Sequence, residues 1–172
     1  MNYFNLILAL GGWIVASIQF LLNIRETRRR HDSDLLERTL GYFANDPLQR
    51  SIGISLVQSI WTKDCERMRV IVPVLVAQVN HLLLQTQKEN RVEERNLIRI
   101  LDLLRHHIDR ASDPQNERIE VMEAFNAKLY SPDCGVPATP GQLKLWYESF
   151  GGDGEYFAAE MEGAQQAEAG NA

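Results

Sequence analysis

The chain has 172 residues, 45% of them hydrophobic, and a net charge of −5, which is room for about one ordinary domain besides any membrane segment. Asp153, Glu155, Glu160, Glu162 and Glu168 supply that charge from residues 151–172, while residues 1–150 balance 18 basic against 18 acidic side chains. A nucleic-acid-binding domain carries a basic excess to neutralise phosphates, and this composition argues against that class of partner.

The first segment is the most distinctive. From Asn2 to Ile24 no side chain is charged, and between Leu6 and Leu22 only Ser17 and Gln19 interrupt the apolar run. The stretch Tyr3–Ile24 therefore predicts a transmembrane helix, residues 1–24 serving as the anchor. At about 1.5 Å per residue it covers roughly 33 Å, enough for a hydrocarbon core of about 30 Å. Tyr3, Phe4 and Phe20 fall near its ends, where aromatic rings favour the headgroup region. Val15-Ala16-Ser17 resembles a signal-peptidase site, but the preceding residues carry no basic charge and the apolar run continues past it, as an uncleaved anchor requires. Within the span Gly12 and Ala16 share a helix face, a small-xxx-small spacing that lets two helices approach and self-associate in lipid.

Residues 25–32 form a basic juxtamembrane segment. Arg25, Arg28, Arg29 and Arg30 lie just past the span, so the positive-inside rule places Met1 outside and everything after Arg25 in the cytoplasm. The same guanidinium groups suit anionic lipid headgroups.

Residues 33–150 read as a cytoplasmic all-α domain of about five helices. Asp32 and Ser33 can cap a helix bearing Leu35, Leu36, Leu40 and Phe43, or that segment can simply continue the span. Asp46-Pro47 is a cap followed by a first-turn proline, opening a helix with Leu48, Ile52, Leu56, Val57, Ile60 and Trp61 at helical spacing. Gly53 within it costs about 1 kcal/mol relative to Ala unless a neighbour packs closely there. Asp64 caps the next predicted helix, Cys65 to Gln87, the most apolar stretch beyond the anchor. Pro73 in its middle makes a central strand unsuitable, and Gln78, Asn80 and His81 fit a covered core helix better than a second span. After a break at Lys88-Glu89-Asn90, residues 91–111 form an amphipath. Leu97, Ile100, Leu101, Leu104, Ile108 and Ala111 line one face, with Glu94, Arg95, Arg99, Asp102, Arg105 and Asp109 opposite.

Ser112-Asp113-Pro114 repeats the cap-then-proline signal before Ile119, Val121, Met122, Phe125 and Leu129. The two Asp-Pro starts suggest helical hairpins of HEAT or armadillo type. Residues 131–141, with three prolines and two glycines, predict a loop. A short helix from Gln142 to Phe150 follows, and residues 151–172 predict an acidic tail, disordered or in part helical.

Chemistry-bearing motifs are sparse. The sequence has no phosphate loop, nucleophile elbow, H-E-x-x-H pair or paired-cysteine box, so we expect neither enzyme activity, nor a cofactor, nor a bound metal. Asp102, His106 and Asp109 have the i, i+4, i+7 spacing of a divalent-metal site, but the interleaved arginines favour a solvated polar face. Cys65 and Cys134 match no metal spacing and, in a reducing cytoplasm, should be free thiols. Trp146, Tyr147 and Phe150 are candidate contacts for a cytoplasmic protein partner.

Two functions of different class fit. In the first, the chain is an anchored adaptor or scaffold that interacts with the bilayer and holds a cytoplasmic partner there, with homo-oligomerisation through Gly12 and Ala16. In the second, it is a membrane-acting effector of toxin or phage-defence type, whose oligomerised spans form a pore or lesion.

Overall fold

The computed structural model of the chain describes residues 3–86 and 90–170; for 3–18, 21, 28, 29 and 167–170 the description covers the helix backbone only. Every regular element among these residues is helical. The chain divides into two units, residues 1–38 and 39–172. In the first, helix α1 (Tyr3–Gly41) carries the predicted span into the charged segment without interruption. The segment from Asp32 therefore continues the helix rather than starting a new one. Arg30 pairs with Glu26 at 2.6 Å, an i,i+4 contact along the exposed helix surface.

The second unit opens with the last residues of α1, followed by a tight 3-10 turn, Tyr42–Ala44. Helix α2 (Pro47–Leu56) starts where Asp46-Pro47 predicts: the Asp46 carboxylate accepts from the backbone N–H of Leu48 and Gln49. It runs into a π-helical turn, Val57–Trp61. Gly53 sits at a close approach: a Cβ there would lie 3.1 Å from Tyr42 Cβ and 3.3 Å from the Thr39 carbonyl oxygen. Trp61 is buried, and its Nε1 donates to Thr39 Oγ1 at 3.3 Å.

Helix α3 (Cys65–Leu84), capped by Asp64, is the centre of this unit. Among the described residues it is the one helix long and apolar enough, by length and composition, to cross a bilayer. Here it packs on α4 and α5 and buries Met68, Ile71, Val72, Leu75, Val76, Val79, Leu82 and Leu83. The predicted break at Lys88-Glu89 lies outside the described residues. Asn90 caps α4 (Arg91–His107), whose predicted apolar face is buried as a whole.

Helix α5 (Pro114–Leu129) is capped by Asp113. The loop after it closes the end of α3: the Val136 N–H donates to the Leu82 carbonyl at 2.8 Å. Lys128, 1% exposed, donates from Nζ to the carbonyls of Pro132 and Cys134. Gly135 sits in this loop at φ +62, where a Cβ would fall 2.2 Å from the Leu83 carbonyl oxygen.

Helix α6 (Pro140–Ser149) starts two residues earlier than expected, because Thr139 and Gln142 form a reciprocal capping box around Pro140. The last segment departs most from the sequence expectation. Residues 154–170 form helix α7 (Gly154–Gly170) rather than a disordered tail. The reason is Phe157, 0% exposed, whose ring lies 4.7 Å from that of Tyr147. Asp153 accepts from the Glu155 N–H at the helix start, and Tyr130 donates to Glu160. Composition hides this single apolar anchor among Gly, Ala and Glu.

Replacing Gly135 with Ala adds both left-handed backbone strain and a clash with main-chain atoms of α3. We expect it to lower stability by about 2 kcal/mol or more, seen as a reduced thermal midpoint by circular dichroism. An unchanged midpoint would mean that the loop does not seal α3.

Candidate interaction surface

The pairing of α2 with α4 builds the most distinctive surface of the second unit, and it begins with a buried charge pair. Arg50 on α2 and Glu93 on α4 are 4% and 2% exposed. Arg50 Nη1 donates to Glu93 Oε1, and Nη2 donates to the Asn45 carbonyl at 3.2 Å. Asn96, 1% exposed, donates from Nδ2 to Glu93 Oε2 at 3.0 Å and to the Pro47 carbonyl at 2.9 Å. Both carboxylate oxygens are thus satisfied, as a charge removed from water requires.

A second arginine clamps the outer edge. Arg99 Nη1 donates to Ser51 Oγ at 3.1 Å, and Nη2 donates to Ser55 Oγ at 2.9 Å and Gln58 Oε1 at 2.5 Å. Together these contacts set the rotation of α2. Arg50, Gly53 and Ile54 face inward, followed by Val57 and Trp61.

The expected apolar stripe of α2 is therefore split. Val57 and Trp61 are core, but Leu48, Ile52 and Ile60 stand 67%, 49% and 40% exposed. Leu48 and Ile52 border an open groove of about 390 Å³ that is lined also by Ser51, Ser55, Leu56 and Ser59. The serine hydroxyls on its floor are internally satisfied: Ser55 Oγ donates to the Ser51 carbonyl at 2.9 Å, and Ser59 Oγ to the Ser55 carbonyl at 2.8 Å. An uncovered apolar groove with quenched polar atoms suits helix docking.

The residues singled out from sequence fare differently. Tyr147 and Phe150 are buried at 8% and 2%, and they belong to an aromatic core in which Phe125 meets Phe150 and Trp146, each at 6.0 Å between ring centres. They present no surface to a partner, because the loop before α6 turns that helix onto α5; Trp146 is half-buried. Gly12 and Ala16 lie within α1, and their side-chain surroundings, like those of Arg28 and Arg29, lie outside the described residues. Arg25 and Arg30 are exposed. Asp109 is drawn to Arg118, and His106 Nδ1 sits 2.7 Å from the Asp102 carbonyl oxygen. Among the described residues no three His, Cys, Asp or Glu side chains converge as a metal ion would need.

Next to His106, His107 is partly buried with Nδ1 unpartnered. Burial first, then the charges of Arg110 and His106, push its pKa below the usual 6.5, against a weaker opposing pull from Asp102. The α2 groove was missed because helical periodicity cannot say which of two overlapping apolar stripes turns inward; Arg50 within the helix was the available signal. No family model, curated protein or solved structure matches the chain.

Two outcomes follow. Arg50→Met leaves the Glu93 carboxylate buried without its cation and should cost about 3–5 kcal/mol in urea unfolding, whereas Arg50→Met with Glu93→Leu should recover most of the loss. A loss in the double variant equal to the sum of the Arg50→Met and Glu93→Leu losses would show the pair is uncoupled. For His107, the unfolded chain takes up a proton that the folded site resists, so its contribution to stability falls as pH drops through 6.5. His107→Gln should flatten the decline of the thermal midpoint between about pH 6.5 and 5; a parallel decline in both proteins would refute this.

Proposed function

We propose that this chain is a single-pass, membrane-anchored helical interaction protein that holds a partner at the cytoplasmic face of the membrane. The observation that carries this reading is helix α1. It joins the charge-free run that ends at Ile24 to the arginine cluster in one unbroken helix, Tyr3–Gly41. Twenty-two uncharged residues, Tyr3 to Ile24, satisfy the length of a bilayer core, and the cluster at Arg25, Arg28, Arg29 and Arg30 supports an orientation with the N-terminal side outside. Phe20 and Leu22, 65% and 59% exposed, are large apolar side chains with lipid as a natural environment.

The helices that follow supply the binding domain. The repeated Asp-Pro starts at Asp46 and Asp113, and the packing of α3 on α4, support a hairpin scaffold of HEAT or armadillo type. The groove along α2 is the surface that the domain offers to another helix. Its uncovered apolar side chains favour the interaction reading over the pore or lesion reading, which places the working surface in the span.

Carbonate extraction of membranes tests the anchor. The full chain should remain in the pellet, and a form lacking residues 1–24 should move to the supernatant. A C-terminal tag should resist external protease until the cells are opened. Recovery of the full chain in the carbonate supernatant would end the anchor reading.

A further inference from the structure

Helix α7 is held to the rest of its unit by very little. Among its described side chains Phe157 alone is buried, whereas α3 buries eight. Half-buried Ala158, Met161 and Ala164 fall on the same side at helical spacing, and Glu160 accepts from the Tyr130 hydroxyl just past α5. Between Gly154 and Gly170 the sequence has four acidic residues and no basic one, so no ion pair along the helix supports it. With Gly163 in its middle, a free helix of this length is marginal in water. Its order therefore comes from docking on α5 and α6, against which it packs. Gly151-Gly152 joins it to α6, with Gly151 at φ +90, a junction suited to a change of direction.

Beneath α7 lies the aromatic group whose composition marks a contact patch. The Phe157 ring is 4.7 Å from that of Tyr147, which is 8% exposed with α7 in place. Phe150 and Phe125 continue the aromatic layer, at 6.0 Å between ring centres. Tyr and Phe are the side chains enriched at the centres of protein contacts. In the resting chain α7 fills this seat as an amphipathic helix with an aromatic anchor fills a groove. Few buried apolar contacts define a segment that opens at a lower free energy than the global transition. Lifting α7 thus costs a fraction of unfolding α3.

We propose that α7 is a releasable cover: it undocks from α5 and α6 while the other helices stay folded, and the face it leaves binds an amphipathic helix with a phenylalanine anchor. The resting occupant is α7 itself, and a partner helix of the same chemistry competes with it for Tyr147. This seat is distinct from the groove along α2, and it does not depend on the membrane anchor. Binding there is conditional on release.

Hydrogen exchange of the full chain in detergent micelles, read by mass spectrometry on peptic fragments, tests release. Fragments of α7 should exchange roughly tenfold faster, or more, than those of α3 and α5. Phe157→Ala should speed α7 about tenfold further and leave α3 unchanged. Glu160→Ala, which removes the acceptor of Tyr130, should also speed α7, while Glu162→Ala at an exposed position should not. A fluorescent peptide of residues 153–170 then serves as the competing helix. It should bind the Phe157→Ala chain about tenfold more tightly than the wild-type chain, and a peptide carrying Phe157→Ala should bind neither. Exchange of α7 in step with α3, or loss of α3 protection in Phe157→Ala, overturns the releasable cover. No peptide binding to the Phe157→Ala chain, equal binding to both chains, or binding indifferent to the peptide's phenylalanine overturns the seat at Tyr147.

Discussion

The buried pair of Arg50 and Glu93 governs the arrangement of the helical unit. Apolar contacts between two helices are tolerant of rotation, because one methyl group replaces another at similar energy. A buried guanidinium is not tolerant: it must meet its carboxylate or leave a charge in a low-dielectric interior. With Asn96 bridging Glu93 to the Pro47 carbonyl, α2 has one permitted rotation against α4. That choice sends Leu48 and Ile52 outward. The exposed groove is thus a consequence of a charge pair on the other side of the same helix.

Local signals in the sequence were sufficient for most of the helix starts. Asp46, Asp64 and Asp113 all act as caps where expected, and Asn90, read only as part of a break, caps α4 as well, because a short polar side chain before a helical run meets free N–H groups through contacts within four residues. The apolar face of α4 was equally readable, its charged side chains leaving one choice of inward stripe. Thr139-Pro140 carried the same kind of signal before α6, with Gln142 completing the box, but the surrounding prolines and glycines masked it.

What the sequence concealed depends on partners distant along the chain. Glu93 and Asn96 look like solvated polar residues near the start of α4, and only the arrival of Arg50, 43 positions from Glu93, makes them interior. Lys128 has the pattern of a solvated terminal lysine, yet the carbonyls of the following loop draw it inside. Tyr147 and Phe150 have the composition of a contact patch, but Phe125 and Phe157 cover them. In α7, one phenylalanine orders a segment whose average composition predicts no structure. In each case a pairing in space reverses a preference that is correct locally.

The seal over the end of α3 has a practical side. Cys134 is exposed, yet its carbonyl accepts from Lys128 Nζ and its N–H donates to the Ser131 carbonyl at 3.2 Å. Its neighbour Gly135 is wedged against the α3 main chain. A spin label or fluorophore on that thiol would stand on fixed backbone despite its place in a proline-rich loop. Its tumbling would follow the helical unit as a body, turning a residue without an assigned role into a native reporter of how that unit moves.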